Sequence, residues 1–166
     1  MNTSNIALIT GASGGIGLEL AKIHAKKGGD LVLVARTLPK LEALKAEIES
    51  QYKVSVHVIS EDLSDPQSPQ RIFDYTESHG LEVSTLINNA GFGGHGLFHE
   101  RALDADLSMI QVNINALVSL THLYLQGIVG RNHGKVLNVS STASFLPGPL
   151  QAVYYATKSF VTSFSQ

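Results

Sequence analysis

The sequence predicts an α/β fold, a parallel sheet with helices on both faces, and three observations carry that expectation. Five short strand-like apolar runs alternate with stretches of helical period. In runs such as IALIT and LVLVA the apolar residues are successive rather than alternating, as in strands buried on both faces. The first run also ends in a glycine-rich turn, TGASGGIG (10–17), that leads straight into a helical segment.

Ile6 to Thr10 (IALIT) forms the first strand. The glycines follow, then ELAKIHAKKG, helical in period and stopped by Gly28 and Gly29. Asp30 opens a second strand, LVLVA, which ends at Arg36. Pro39 starts the next helix, where its missing N–H would have had no partner, and KLEALKAEIESQ spaces acids and bases along it. VSVHVIS (54–60) is the third strand and EDLSDPQSP a turn-rich break. A weaker helix spans roughly residues 70–79, and STLINNAG is a fourth strand running into glycine. The loop GFGGHG leads to a long helix over 105–129, with Leu107, Ile110, Ile114, Leu117, Val118 and Leu125 as its expected core stripe. GKVLNVSS is the fifth strand and SFLPGPL a loop. A last helix begins near Tyr154 and is still apolar in period at Phe160, Val161 and Phe164, so the chain reads as stopping within a helix.

Bulk composition narrows the function classes. The 166 residues suit one domain with a sizeable core, and 43% hydrophobic with 16% charged residues is a folding composition. A formal net charge of −2 makes no electrostatic case for nucleic acid. With no cysteine there is no disulfide framework, thiolate zinc site or cysteine nucleophile. The start, MNTSNIALITGASGG, lacks the basic and apolar regions of a signal peptide. The apolar region 107–129 is interrupted by Gln111, Asn113, Asn115, His122 and Gln126, too polar for a membrane span. The expectation is a soluble cytoplasmic protein without membrane partners, in which the N-x-S matches at Asn2 and Asn138 are chance.

The loop TGASGGIG admits two readings. In one, Gly11 makes the tight turn, Gly15 allows close approach to a pyrophosphate, and Gly17 lets the helix pack on the sheet. The unpaired N–H groups of that helix then face the anion. In the other, Gly11-Ala12-Ser13-Gly14-Gly15 is the G-x-S-x-G elbow of a serine hydrolase. The elbow needs an oxyanion donor from an earlier loop and a later acid and histidine at strand ends; only MNTSN precedes the first strand, and no convincing pair follows. The phosphate reading is the stronger.

Three motifs in chain order then make the sequence resemble the short-chain dehydrogenase/reductase family over nearly all its length: Thr10-Gly11 to Gly15-Ile16-Gly17, Asn88-Asn89-Ala90-Gly91, and Tyr154 with Lys158. The resemblance is to the N-terminal two-thirds of such proteins. It implies a Rossmann-type doubly wound sheet of order 3-2-1-4-5, and a single dinucleotide-binding domain over 1–166, incomplete at its C-terminus and with an uncovered fifth strand. It also implies hydride transfer between a nicotinamide cofactor and a small carbonyl or alcohol, with Tyr154 as general acid/base. A free tyrosine pKa near 10 is too high for efficient proton exchange at neutrality, and an ammonium lowers it by favouring phenolate. The i,i+4 spacing puts Tyr154 and Lys158 on one helix face; Tyr155 lies at i,i+3, and the family pattern selects Tyr154.

Thirteen residues before Tyr154 the pattern places Ser141, to hold the substrate oxygen, with Ser140 as the alternative facing the opposite side. The family asparagine of the long helix matches Asn113, which Asn115 rivals less well. Ser13 and Ile16 fall in the phosphate loop, Asp62 and Leu63 match an adenine-contacting pair, and Asn89, Ala90 and Gly91 would line the adenosine side. At the end of the second strand, where NAD-preferring relatives carry an acid, Ala35 is followed by Arg36 and Thr37. A guanidinium suits a 2′-phosphate, so NADP is expected over NAD. His95 and His99 form H-x3-H on a glycine-broken segment without an obvious third ligand, and no metal is expected. Relatives pair the long helix and the one after it into a four-helix interface, which implies a homodimer or homotetramer.

Overall fold

The structure, a computed structural model, describes residues 5–166, so the Asn2 match lies outside it. The five strands are β1 (Ile6–Thr10), β2 (Asp30–Ala35), β3 (Val56–Ser60), β4 (Val83–Asn88) and β5 (Lys135–Asn138). They form one parallel sheet of order β3-β2-β1-β4-β5, the order expected. The helices are α1 (Gly15–Lys26), α2 (Leu38–Tyr52), α3 (Ser68–Ser78), α4 (Leu103–Ile110), α5 (Leu117–Gly130) and α6 (Ala152–Phe164).

The successive apolar residues of β1 and β2 divide between two cores. Ala7, Ile9, Leu31 and Leu33 pack against Ala21 and Ala25 of α1 and Leu41, Leu44 and Ile48 of α2. Leu8, Val32 and Val34 point the other way, against Ile72 of α3 and Leu120 and Tyr124 of α5. Adjacent strand residues face opposite sides, so a run apolar at every position needs helices on both.

The strand ends differ from the sequence reading. β3 starts at Val56 because Lys53 closes α2 in the left-handed region, φ 55°, and the Ser55 N–H donates to Asp30 Oδ1. β5 has four residues rather than eight: after Asn138 only the Val139 N–H continues towards β4, and Ser141 then caps a 3-10 turn over Thr142–Phe145. β5 is an edge strand, and Leu137 on it is 44% exposed.

The long helix needs the largest correction. It runs from Leu103 to Gly130, with a π-helical stretch at Gln111–Ala116 joining α4 to α5. Its buried side carries Met109, Val112, Asn113, Ala116, Leu120, Tyr124 and Ile128, whereas Leu107 and Leu125 of the expected stripe are exposed. Of that stripe only Leu117 is buried; Ile110, Ile114 and Val118 are intermediate. A helix apolar nearly all round offers several stripes, and the wider i→i+5 turn shifts their phase between its two halves. The reading of 107–129 as too polar for a membrane span is also corrected, since by length and composition Leu103–Gly130 is apolar enough to cross one. In this fold α5 lies on β4 and α3, and α4 against α6.

Candidate active site

The order β2-β1-β4 places the reversal of strand succession between β1 and β4, the position where an open α/β sheet leaves a crevice at its carboxyl edge. Gly11 follows β1 and turns at φ +66°, while Asn89, Ala90 and Gly91 follow β4. Thr10 joins the two ends. Its Oγ1 accepts from the Asn89 and Ala90 N–H groups, both at 3.0 Å. The Asn89 amide donates back to the carbonyls of Thr10 and Gly11 at 2.9 and 3.3 Å. Gly17 lies under this knot, where a Cβ would stand 2.5 Å from Gly11 O. Gly15 opens α1 at φ +54°, so it supplies a backbone conformation, and a Cβ there would meet nothing within 4 Å. α1 has Gly14 at its N-cap, no side-chain cap and no acid in its first turn, leaving an uncompensated positive end beside the crevice.

Two cavities share Gly11, Ala90, Gly91 and Phe92 and together make a trough along the sheet edge. The first, about 510 Å³, is bordered by Ser13, Arg36, Thr37, Lys40, Asp62 and Leu63. No histidine borders it, so Ser13 has no base there for the elbow chemistry. Arg36 and Lys40 pair with no carboxylate among the described residues. The neighbouring Glu61 is engaged by Arg71, at 2.9 and 2.7 Å, and by the Ser68 hydroxyl, and its carboxyl is held below the ordinary value mainly by Arg71. Asp62 Oδ1 accepts from the Ser64 N–H and fixes the turn that carries Leu63.

The second cavity, about 430 Å³, is bordered by Ile16, Asn89, Ser140, Tyr154 and Lys158. Asn89 borders this cavity with its amide turned onto Gly11, whereas Ala90 and Gly91 border both cavities. Tyr155, the rival tyrosine, packs its ring over Gly148, where any Cβ would collide with it. Tyr154 lies against Gly93, whose Cβ would be 3.3 Å from the ring. Lys158 is buried and its Nζ donates to the Val139 carbonyl at 2.9 Å. A Cβ on Gly91 would meet Asn113 Oδ1 at 3.0 Å and Lys158 Nζ at 3.4 Å, so the absence of a side chain there lets both approach.

Asn113 sits in the π-helical stretch and is fully engaged. Its Nδ2 donates to Phe92 O and Thr157 Oγ1, both at 3.0 Å, and its Oδ1 accepts from the Phe92 N–H at 3.1 Å. Thr157 in turn donates to the Tyr154 carbonyl. Asn115 points to Gln111 on the exposed side. Ser141 lies three residues beyond β5 and borders neither cavity. Its Oγ accepts from the Ala143 N–H, which uses a lone pair and leaves the hydroxyl proton. Ser140, expected to face away, borders the cleft, with its Oγ bonded to the Lys158 carbonyl and to Thr162. The backbone leaves the strand before these serines, so strand alternation does not apply to them. Lys40, Thr157 and Arg71 were missed, and Thr10 was named in the motif without its linking role. Only Lys40, one turn beyond Arg36, carried a signal in the sequence.

Burial holds the Lys158 ammonium below its ordinary pKa. A lysine with a lowered folded-state value costs stability below that value, and the cost fades as pH rises towards the unfolded one. The difference in unfolding free energy between wild type and Lys158→Met is therefore expected to move in favour of wild type from pH 7 to pH 10. Urea melts across that range measure it, and a flat difference would mean the ammonium is not desolvated.

A helix end without acidic caps, flanking cations and a Tyr–Lys pair thus lie along one trough at the carboxyl edge of the sheet. A sequence model described as short chain dehydrogenase matches residues 5–166, and the chain belongs to that family. It is 38% identical over 166 residues to the very-long-chain 3-oxoacyl-CoA reductase of Homo sapiens, covering 96% of this chain and 52% of that protein. It is also 38% identical over 165 residues to human 17-beta-hydroxysteroid dehydrogenase type 3, with the same two shares. The chain thus spans about half the length of the curated relatives it matches. Its fold superposes with a TM-score of 0.91 on a short-chain dehydrogenase from Sphingobium yanoikuyae in complex with NADPH, at 34% identity, covering 97% of this chain and 62% of that one.

Proposed function

We propose that this protein is an NADP-dependent oxidoreductase that interconverts a small-molecule carbonyl and alcohol, with Tyr154 as general acid/base. The observation that carries the reading is Tyr154 and Lys158 at one end of a trough whose other end holds Arg36, Thr37 and Lys40. NADPH supplies the hydride when bound. Arg36 and Lys40 would hold its 2′-phosphate, the N-terminus of α1 with Gly11 and Gly15 would receive the pyrophosphate, and Asp62 and Leu63 would border the adenine. Tyr154 gives its proton to the forming alkoxide, Lys158 favours the resulting phenolate, and Ser141 offers its free hydroxyl proton to the substrate oxygen. Asn113 acts through its bonds to Phe92 and Thr157, which hold the loop after β4 against the helix carrying Tyr154.

A homodimer or homotetramer accompanies this reading, supported by Leu103, Leu107, Leu125, Phe160 and Phe164, apolar side chains exposed on α4, α5 and α6.

NADPH fluorescence enhancement, followed by oxidation of NADPH against a panel of ketones and aldehydes, tests the proposal. Binding without turnover of any carbonyl would replace it with a nucleotide-binding role. Arg36→Asp is expected to shift the NADPH-to-NADH ratio of kcat/KM towards NADH by about tenfold or more, the scale of a lost charge-assisted phosphate contact. An unchanged ratio would refute the NADP preference.

A further inference from the structure

The run GFGGHG (91–96) is more than a flexible connection. Arg101 and Asp106 form the most shielded ion pair among the described residues, with side chains 18% and 4% exposed. Guanidinium Nε and Nη2 both reach Asp106 Oδ1, at 2.8 and 2.7 Å, and Nη1 donates to the His95 carbonyl at 3.1 Å. The arginine lies across the glycines: a Cβ on Gly94 would collide with the guanidinium, and one on Gly96 would stand 3.3 Å from Arg101 Cγ. The Gly96 N–H donates to the Leu150 carbonyl at 2.8 Å, tying the same segment to the chain that enters α6. Gly93 rests against the ring of Tyr154. Gly94 and Gly96 are therefore the seat of one side chain, and the segment is a lip fastened beside the reacting end of the trough.

A shielded ion pair adds little net stability over an apolar pair of the same shape, so its main consequence here is positional. We infer that Arg101 is a positioning residue for the substrate side of the site. Paired with Asp106, it fixes the 93–98 lip against Tyr154 so that Phe98 presents an apolar wall to a carbonyl substrate with a bulky hydrocarbon group. Phe98 is 65% exposed and borders a small cavity together with Tyr154, Arg101 and Asp106, while the lip's polar backbone contacts are turned towards Arg101 and Leu150. This inference rests on Tyr154 being the proton-transfer group.

The test compares wild type, Arg101→Met and the double variant Arg101→Met/Asp106→Leu, the last because it leaves no unpaired buried charge. In the folded double variant, KM for a bulky aromatic ketone is expected to rise about tenfold with kcat changed less than about threefold, a loss of binding rather than of chemistry. The NADPH dissociation constant stays within about twofold, because the lip borders the substrate end, and a general loss of structure would move both. An unchanged KM in that variant overturns the inference. Wild type that turns over no carbonyl would instead defeat the proposed function. In that case amide exchange decides the lip: faster exchange at residues 93–97 in the double variant supports the fastening, and unchanged exchange overturns it.

Discussion

Tyr154→Phe is expected to lower carbonyl reduction by about 10²–10⁴-fold, the contribution typical of a positioned general acid. NADPH binding should stay near the wild-type value. The substitution removes one oxygen and keeps the ring that packs on Gly93. Tyr155→Phe is the matched control, since it removes the same atom one residue later. The ring of Tyr155 packs over Gly148, and the family pattern selects Tyr154, so loss of the Tyr155 hydroxyl should leave kcat within about threefold of wild type. Steady-state kinetics with NADPH separates the two variants. Equal losses would mean that the helix packing is being read, and a loss confined to Tyr155→Phe would move the acid to the other tyrosine.

Gly17→Ala is expected to weaken cofactor binding through structure rather than chemistry. Its Cβ would stand 2.5 Å from both Gly11 O and Asn89 Nδ2. Neither can yield freely, because the Asn89 amide is bonded to the Thr10 and Gly11 carbonyls. Overpacking of this kind costs about 1–3 kcal/mol, and relief requires lifting α1 off the turn. The helix end would then move away from the phosphate position, and the NADPH dissociation constant should rise by about tenfold or more. Gly14→Ala provides the contrast. A Cβ there meets nothing within 4 Å, and its φ of 179° is open to any residue. Fluorescence titration and thermal melts of both variants check the prediction, and wild-type binding by Gly17→Ala would remove the knot from the account.

Much of the fold was legible because its signals are local. Successive apolar residues in IALIT and LVLVA require cover on both faces, and Gly28 with Gly29 stops a helix wherever it is packed. The structure also brings the motifs together, with Gly11, Gly91, Tyr154 and Lys158 all bordering one cavity of the trough. Two readings failed for a common reason. The stripe on the long helix was ambiguous because many of its residues are apolar and a π-helical turn shifts the phase at Gln111–Ala116. The alternation argument for Ser140 and Ser141 presumed a strand that stops at Asn138.

By itself the sequence determined the α/β class, the sheet's two-sided burial, the glycine turn and the Tyr–Lys spacing, since each depends on residues within a few positions of one another. Only the tertiary structure decided which partners those residues meet. Thr10 joining β1 to β4, Asn113 reaching Phe92 and Thr157, and Arg71 holding Glu61 all link positions about ten to eighty apart. Such contacts form when the sheet brings strand ends together, and hydrogen bonds between distant side chains leave no periodicity in the chain. GFGGHG shows the division most plainly: its letters announce a loop, and only the packed arginine shows why the loop has no side chains there.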